Sequence, residues 1–120
     1  MDIDTFLVTF YETLSFGYGE KFKSRQLRRL FLPNATLMKT RGSVYVQRDL
    51  GAHIEEFESA LETSPQLFQN GFHVVQLSRE IIESKGAFLV SSVYRETYAD
   101  IAETGVSSMI VVPRGDTNQI

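Results

Sequence analysis

Apolar residues recur at two different periods along this chain, and the change of period divides it. Over residues 3–16, Ile3, Phe6, Leu7, Phe10, Tyr11 and Leu14 fall three and four apart, which predicts one helix with a single apolar stripe. Asp2 and Asp4 stand where the orphan amides of a first turn favour negative charge, and Gly17 and Gly19 break the pattern. A shorter helix is predicted over 24–31, with Leu27, Leu30 and Phe31 inward and Arg25, Arg28 and Arg29 in water. Pro33 holds Leu32 extended and ends it. Ala35 to Met38 reads as a short strand. The clearest helical spacing lies over 46–61, where Val46, Leu50, Ile54, Phe57 and Leu61 step by four, four, three and four. Thr63, Ser64 and Pro65 stop it.

From Phe72 onward the grammar is that of strands. Segments 73–82, 87–98 and 106–112 are rich in Val, Ile, Tyr and Phe. Glu83-Ser84-Lys85-Gly86 and a looser stretch from Asp100 to Gly105 separate them, as in an antiparallel meander. Arg114-Gly115-Asp116 reads as another tight turn, before a brief closing segment from Thr117 to Ile120. Helices gathered ahead of an antiparallel sheet predict an α+β domain, with three helices from the N-terminal half packed in the concave face of a curved sheet. Along 87–98 both alternating sets of side chains include apolar residues, so both faces are expected to be partly buried. A second subunit pairing sheet to sheet would cover the outer one, giving a homodimer.

Composition narrows the function classes. At 120 residues the chain is one domain, 1–120, and 42% apolar against 22% charged content is globular rather than disordered. Nine Phe and five Tyr can fill a core or line a cavity. The absence of cysteine excludes disulfides, thiolate nucleophiles and Cys-ligated zinc, and permits a reducing compartment; a cytoplasmic location is expected. The opening MDIDTFLVTF has no basic n-region, so no signal peptide is read, and no apolar run reaches the roughly 20 residues a membrane span needs. A net charge of −3 argues against nucleic acid. One exception is local: Lys21, Lys23, Arg25, Arg28 and Arg29 put five basic residues in nine positions, read here as a solvated helix face. Neither nucleic acid nor membrane is expected as a partner.

The order of a helix, RLFLPNATLM, a glycine and a further helix, followed by GFHVVQLS, KGAFLVSSVY and GVSSMIVVPRGD, resembles the NTF2-like superfamily and its SnoaL-like small proteins. Leu30, Phe31, Ala35 and Thr36 match the family's step into its first strand, and Gly42 matches the glycine before its third helix. The resemblance covers nearly the whole chain and implies a cystatin-like α+β cone with a hydrophobic pocket. Members include ketosteroid isomerases, polyketide cyclases, dehydratases, limonene epoxide hydrolases and nuclear transport adaptors, so the fold implies a pocket and not a chemistry. Two departures stand out. The isomerase branch carries a carboxylate after the first strand, where this chain has Met38-Lys39-Thr40. The family's last strand often opens with tryptophan, where this chain has only Asn118 to Ile120.

His73, beside Phe72 and Val74 at a strand start, is suited to proton transfer near neutral pH, and a structural histidine at a sheet edge is the competing reading. His53 belongs to the polar side of its helix and is expected to be exposed. Tyr11 lies on the inner stripe of the first helix, where the isomerase branch keeps an oxyanion-hole tyrosine; otherwise it is a core residue. Tyr94, Glu96 and Tyr98 share one strand face and Arg95 takes the other. If the even face lines the pocket, Glu96 is the catalytic carboxylate and the two tyrosines line a ligand; if the odd face does, Arg95 is an anion contact. Arg41, with Lys39, would bind an anionic substrate at the mouth of the cone or else be solvated. Two distant histidines offer no metal cluster, no phosphate loop occurs, and no cofactor is expected. The expected function is binding of a small apolar carbonyl compound, with isomerase, cyclase or dehydratase chemistry in which His73 takes a proton and Tyr11 stabilises the enolate. The alternative is a non-catalytic ligand-binding or dimeric protein-interaction domain.

Overall fold

Helix α1 (Ile3–Leu14) forms as its stripe predicts in the computed structural model, which describes residues 2–33, 35–41, 44–114 and 117–120, and only the backbone of 37–41 and 44–46. Asp2 caps it by accepting a hydrogen bond from the Thr5 amide at 2.7 Å. The far end is closed from outside. The Lys23 ammonium donates to the carbonyl oxygens of Glu12 and Ser15, at 3.2 and 2.6 Å, so acceptors that a last turn leaves open are satisfied. Helix α2 (Ser24–Arg29) follows and buries Leu27.

The next elements correct the helix expected over 46–61. Strand β1 (Thr36–Arg41) pairs with β2 (Val44–Asp49) in an antiparallel hairpin, from Thr36 opposite Asp49 to Arg41 opposite Val44. Helix α3 runs Leu50–Thr63. Val44, Tyr45 and Val46 favour extended backbone. Asp49 then fixes the helix start by accepting from the Ala52 amide at 2.7 Å. Gly42 lies outside the described residues, and β2 stands between it and the third helix. After a 3-10 turn at Pro65–Phe68, the sheet begins.

Strands β3 (Phe72–Ser84), β4 (Ala87–Tyr98), β5 (Ile101–Arg114) and β6 (Thr117–Gln119) lie side by side in that order, each antiparallel to the next. The meander is as predicted, but β5 starts earlier than expected. The stretch Ile101 to Gly105 is paired with Tyr94 to Tyr98, and the turn shrinks to Ala99-Asp100, with Ala99 at φ 51°. Gly105 is in the strand because Tyr94 lies across it: a Cβ there would sit 2.5 Å from the tyrosine ring. Gly115 and Asp116, in the predicted last turn, lie outside the described residues.

All three helices lie on one face of the curved sheet. Phe6 and Leu7 of α1 pack on Val90 and Val111, and all four are fully buried. A second cluster joins Phe10, Leu27 and Ile54, one from each helix, to Phe72 and Val74 of β3. Each fully buried Phe or Leu contributes about 1.5–3 kcal/mol by leaving water. On the outer face of the single chain Val75, Leu77, Leu89, Val106 and Ile110 are exposed, Val106 by 73%. Among the described residues no helix is long and apolar enough to cross a membrane.

Phe16 holds the entry to the sheet: its amide and carbonyl exchange two 2.8 Å hydrogen bonds with Phe72. Gly71 makes this approach, with φ +90° and a Cβ position only 2.3 Å from the Phe16 carbonyl oxygen. Gly71→Ala is therefore expected to cost about 1–3 kcal/mol in backbone strain alone. Asp49→Ala is expected to cost about 1 kcal/mol for the lost cap. Urea unfolding of both variants checks this ranking, and an unchanged midpoint for Gly71→Ala would contradict the account.

Candidate functional site

Strand register decides which residues share a face. Phe72, Tyr98 and Ile101 are opposite one another, as are Val74, Glu96 and Glu103, then Gln76, Tyr94 and Gly105. Val74 is in the core, so this set faces the helices. The even face of β4 is thus the inner one, bringing Tyr94, Glu96 and Tyr98 together, with Glu103 beside Glu96. Arg95 is opposite Val75 and Thr104 on the outer face and is exposed.

Tyr11 enters this cluster from α1. It is buried, packs edge-on against Phe10 with ring centroids 5.1 Å apart, and its hydroxyl lies 3.4 Å from that of Ser107 on β5. Tyr98 stacks on Phe68 at 5.7 Å. Burial raises the Tyr94 phenol above its ordinary pKa of 10.0, and the negative charge of Glu96 adds to the effect. Tyr98 moves the same way, by desolvation first and then by Glu103 and Glu96. The cluster therefore presents neutral phenols as hydrogen-bond donors beside two carboxylates at the rim of the concave face.

His73 is elsewhere. It is opposite Thr97, itself opposite Ala102, on the outer face, and it is exposed. Glu96 and His73 are therefore on opposite faces of the sheet, and no His73–Glu96 pair forms. A groove of about 490 Å³ does run along the free edge of β3, with Val8, Tyr11 and Glu12 of α1 and Ser15 just after it on one side and His73, Val75 and Gln76 on the other. Tyr11 contributes its flank to that groove, while its hydroxyl reaches β5, two strands and about 10 Å further on. The expected cooperation of His73 and Tyr11 on one substrate atom has no geometric counterpart here. Arg41 closes β1, but its side chain, like that of Lys39, lies outside the described residues. His53 is half-buried, in contrast to the exposure expected. No group of His, Asp or Glu among the described residues is placed to hold a metal.

Sequence reasoning passed over the polar residues that organise this edge. Ser15 donates to the Val74 carbonyl and accepts from the Val74 amide at 2.9 Å, standing in for a neighbouring strand. Gln76 reaches inward to the buried Ser92 hydroxyl at 2.7 Å, and Arg79 joins Gln76 to Asp4 of α1. A glutamine at an inward position after Phe72 and Val74 was the available signal, since a polar group there needs a partner.

The two raised phenols give a testable sign. In the unfolded chain they titrate near 10, so their contribution is intact below that pH and is lost as pH rises through the folded values. Stability is expected to fall in alkali above about pH 10, and Glu103→Gln should lower the Tyr98 pKa and soften the fall. Spectrophotometric titration of tyrosine, with unfolding followed across that range, measures both effects; a Tyr98 pKa unchanged by the substitution would contradict them. As to relatives, no protein-family model matches this chain, and no curated protein or solved structure matches it.

Proposed function

We propose that this chain is a small NTF2-like, SnoaL-like domain that acts as a non-catalytic interaction module and pairs with a second copy of itself through the outer face of its sheet. The observation that carries the reading is the contrast between the two faces. Tyr11 and Phe72 fill the inner face, and Phe10, Phe16 and Ile54 close over them. On the outer face, Ile82, Leu89 and Ile110 stand in one row across three strands, and Leu77, Val93 and Val106 fall close together nearer its centre. Water-exposed apolar patches of this extent mark contact surfaces.

The area supports a second copy as the occupant. Strands β3, β4 and β5 have 13, 12 and 14 residues. With spacings of about 4.8 Å between strands and 3.3 Å per residue, they offer a flat footprint of roughly 500–600 Å². Side-chain relief brings the accessible surface toward the ~800 Å² per partner of an ordinary stable interface. A sheet meeting its own copy is isologous, so each apolar row can be covered without a second kind of surface.

Light scattering after gel filtration tests this directly. The wild-type chain is expected at twice its 13.6 kDa mass, and Val106→Glu with Ile110→Lys is expected at the monomer mass with the fold retained. A monomeric wild type at tens of micromolar would sink the reading. The β3-edge groove favours a second one, a small organic ligand bound between Val8 and Val75 with His73 at its rim. Its volume is within the about 300–1,000 Å³ of ligand sites. His73→Gln should then weaken a ligand found by thermal-shift screening at least fivefold. If no ligand shifts the melting temperature, or if His73→Gln leaves its affinity intact, this second reading fails.

A further inference from the structure

The basic run ahead of β1 belongs to a larger segregation of charge. Between Glu20 and Asp49 there is no carboxylate, yet this stretch holds eight of the chain's 12 basic residues. The remaining four are scattered among all 15 acids. A modest net charge of −3 therefore conceals a cationic region set against an acidic body.

The structure gives that region a surface. Arg25, Arg28 and Arg29 are spaced i, i+3 and i+4 on α2, so they share one side of the helix, and all three are exposed. Lys21 is exposed just ahead of them. Among the described residues the ion pairs are Arg48 with Glu56 and Arg79 with Asp4, and neither includes any of these four cations. Asp49, close to Arg28 across Gly51, is engaged in capping the Ala52 amide. Arg28 and Arg29 suit the carbonyl end of a helix, but Arg25 opposes the dipole of the first turn and repels both. A six-residue helix with no side-chain cap gains nothing internal from this repulsion.

We infer that the Arg25–Arg28–Arg29 face of α2, with Lys21 and Tyr18 ahead of it, binds single-stranded nucleic acid through its phosphates. This departs from the expectation that the basic run is a solvated helix face and that nucleic acid is no partner. Three observations select the partner. Arginine predominates on the face, and its planar guanidinium matches phosphate oxygens in pairs. The apolar side of α2 is committed to the core through Leu27 and Leu30, and Phe22 just before it packs against Phe57 at 4.8 Å, which leaves no greasy edge to enter a membrane. Tyr18, in the turn that opens the stretch, is 81% exposed and offers a ring on which a base can stack. The face is separate from the outer sheet surface, so this inference does not depend on self-association.

Fluorescence anisotropy with a labelled uridine oligomer of about 20 nucleotides at about 50 mM salt tests it. Binding is expected to weaken at least tenfold in the Arg25→Gln, Arg28→Gln, Arg29→Gln triple variant. The slope of log affinity against log salt should shrink by about 2, as three lost phosphate contacts on a single strand require. Tyr18→Ala should weaken binding about tenfold and leave that slope unchanged. Lys85→Gln and Arg95→Gln, cations in the β3–β4 turn and on the outer face of the sheet, should leave affinity unchanged. Circular dichroism should show the triple variant folded, with a melting temperature equal to or above wild type. The inference is overturned if wild type does not bind, if Lys85→Gln weakens binding as much as the triple variant, or if Tyr18→Ala is silent while polyglutamate competes as well as the oligomer.

Discussion

The seat of α1 on the sheet is the constraint from which most of this structure follows. An antiparallel sheet alternates its side chains, and nothing within the sheet says which set must be dry. Helix α1 decides it by placing Phe6 and Leu7 on Val90 and Val111, and Phe10 and Tyr11 over Phe72 and Val74. Polar contacts fix the seat at both ends. Arg79 donates to Asp4 at 2.6 Å near the start of the helix, and Ser15 is bonded to the backbone of Val74 just after its end. Sliding the helix would break both anchors and uncover the buried pairs.

Every functional placement is downstream of that choice. Tyr94, Glu96 and Tyr98 face inward because Val90 and Ser92 do, and Arg95 and His73 face outward by the same alternation. The extra residue in β3 at Leu77 keeps Gln76 and Arg79 both turned toward α1, so that Leu77 and Ser78 fall outward between them. The exposed Val75, Leu89, Val106 and Ile110 are what the same alternation leaves on the outer face. The two proposals for this molecule use different parts of it: the sheet back for its own copy, and the helix that never touches that back for a polyanion.

Much of the fold was legible in the residues, for reasons that also explain the misses. The stripe from Ile3 to Leu14 and the meander were readable because a period of 3.6 or 2 survives any packing detail. Strand β2 was missed because Val46 and Leu50 also satisfy helical spacing, and only the capping role of Asp49 separates the two elements. The start of β5 was missed because Ala102, Glu103, Thr104 and Gly105 form an unconvincing strand until Tyr94 is seen lying over the glycine. The candidate residues themselves could be named, but not their company. Whether His73 meets Tyr11 depends on the bulge, the seat of the helix and the free edge of β3, and periodicity contains none of these. The Ser15 and Gln76 contacts are long-range and escape any local window.

The same seat has a consequence for how the chain reaches its native state. The contacts that hold α1 join Asp4 to Arg79, Ser15 to Val74 and Tyr11 to Ser107, separations of 75, 59 and 96 residues. A 12-residue helix in water is marginal without a surface to lie on. Its landing surface is assembled from strands that come far later in the sequence, so α1 is made first and secured last. Until then Phe6, Leu7 and Phe10 have no native partners, so closing these long-range contacts is a late and entropically costly step in a fold whose sheet is otherwise joined by hairpins.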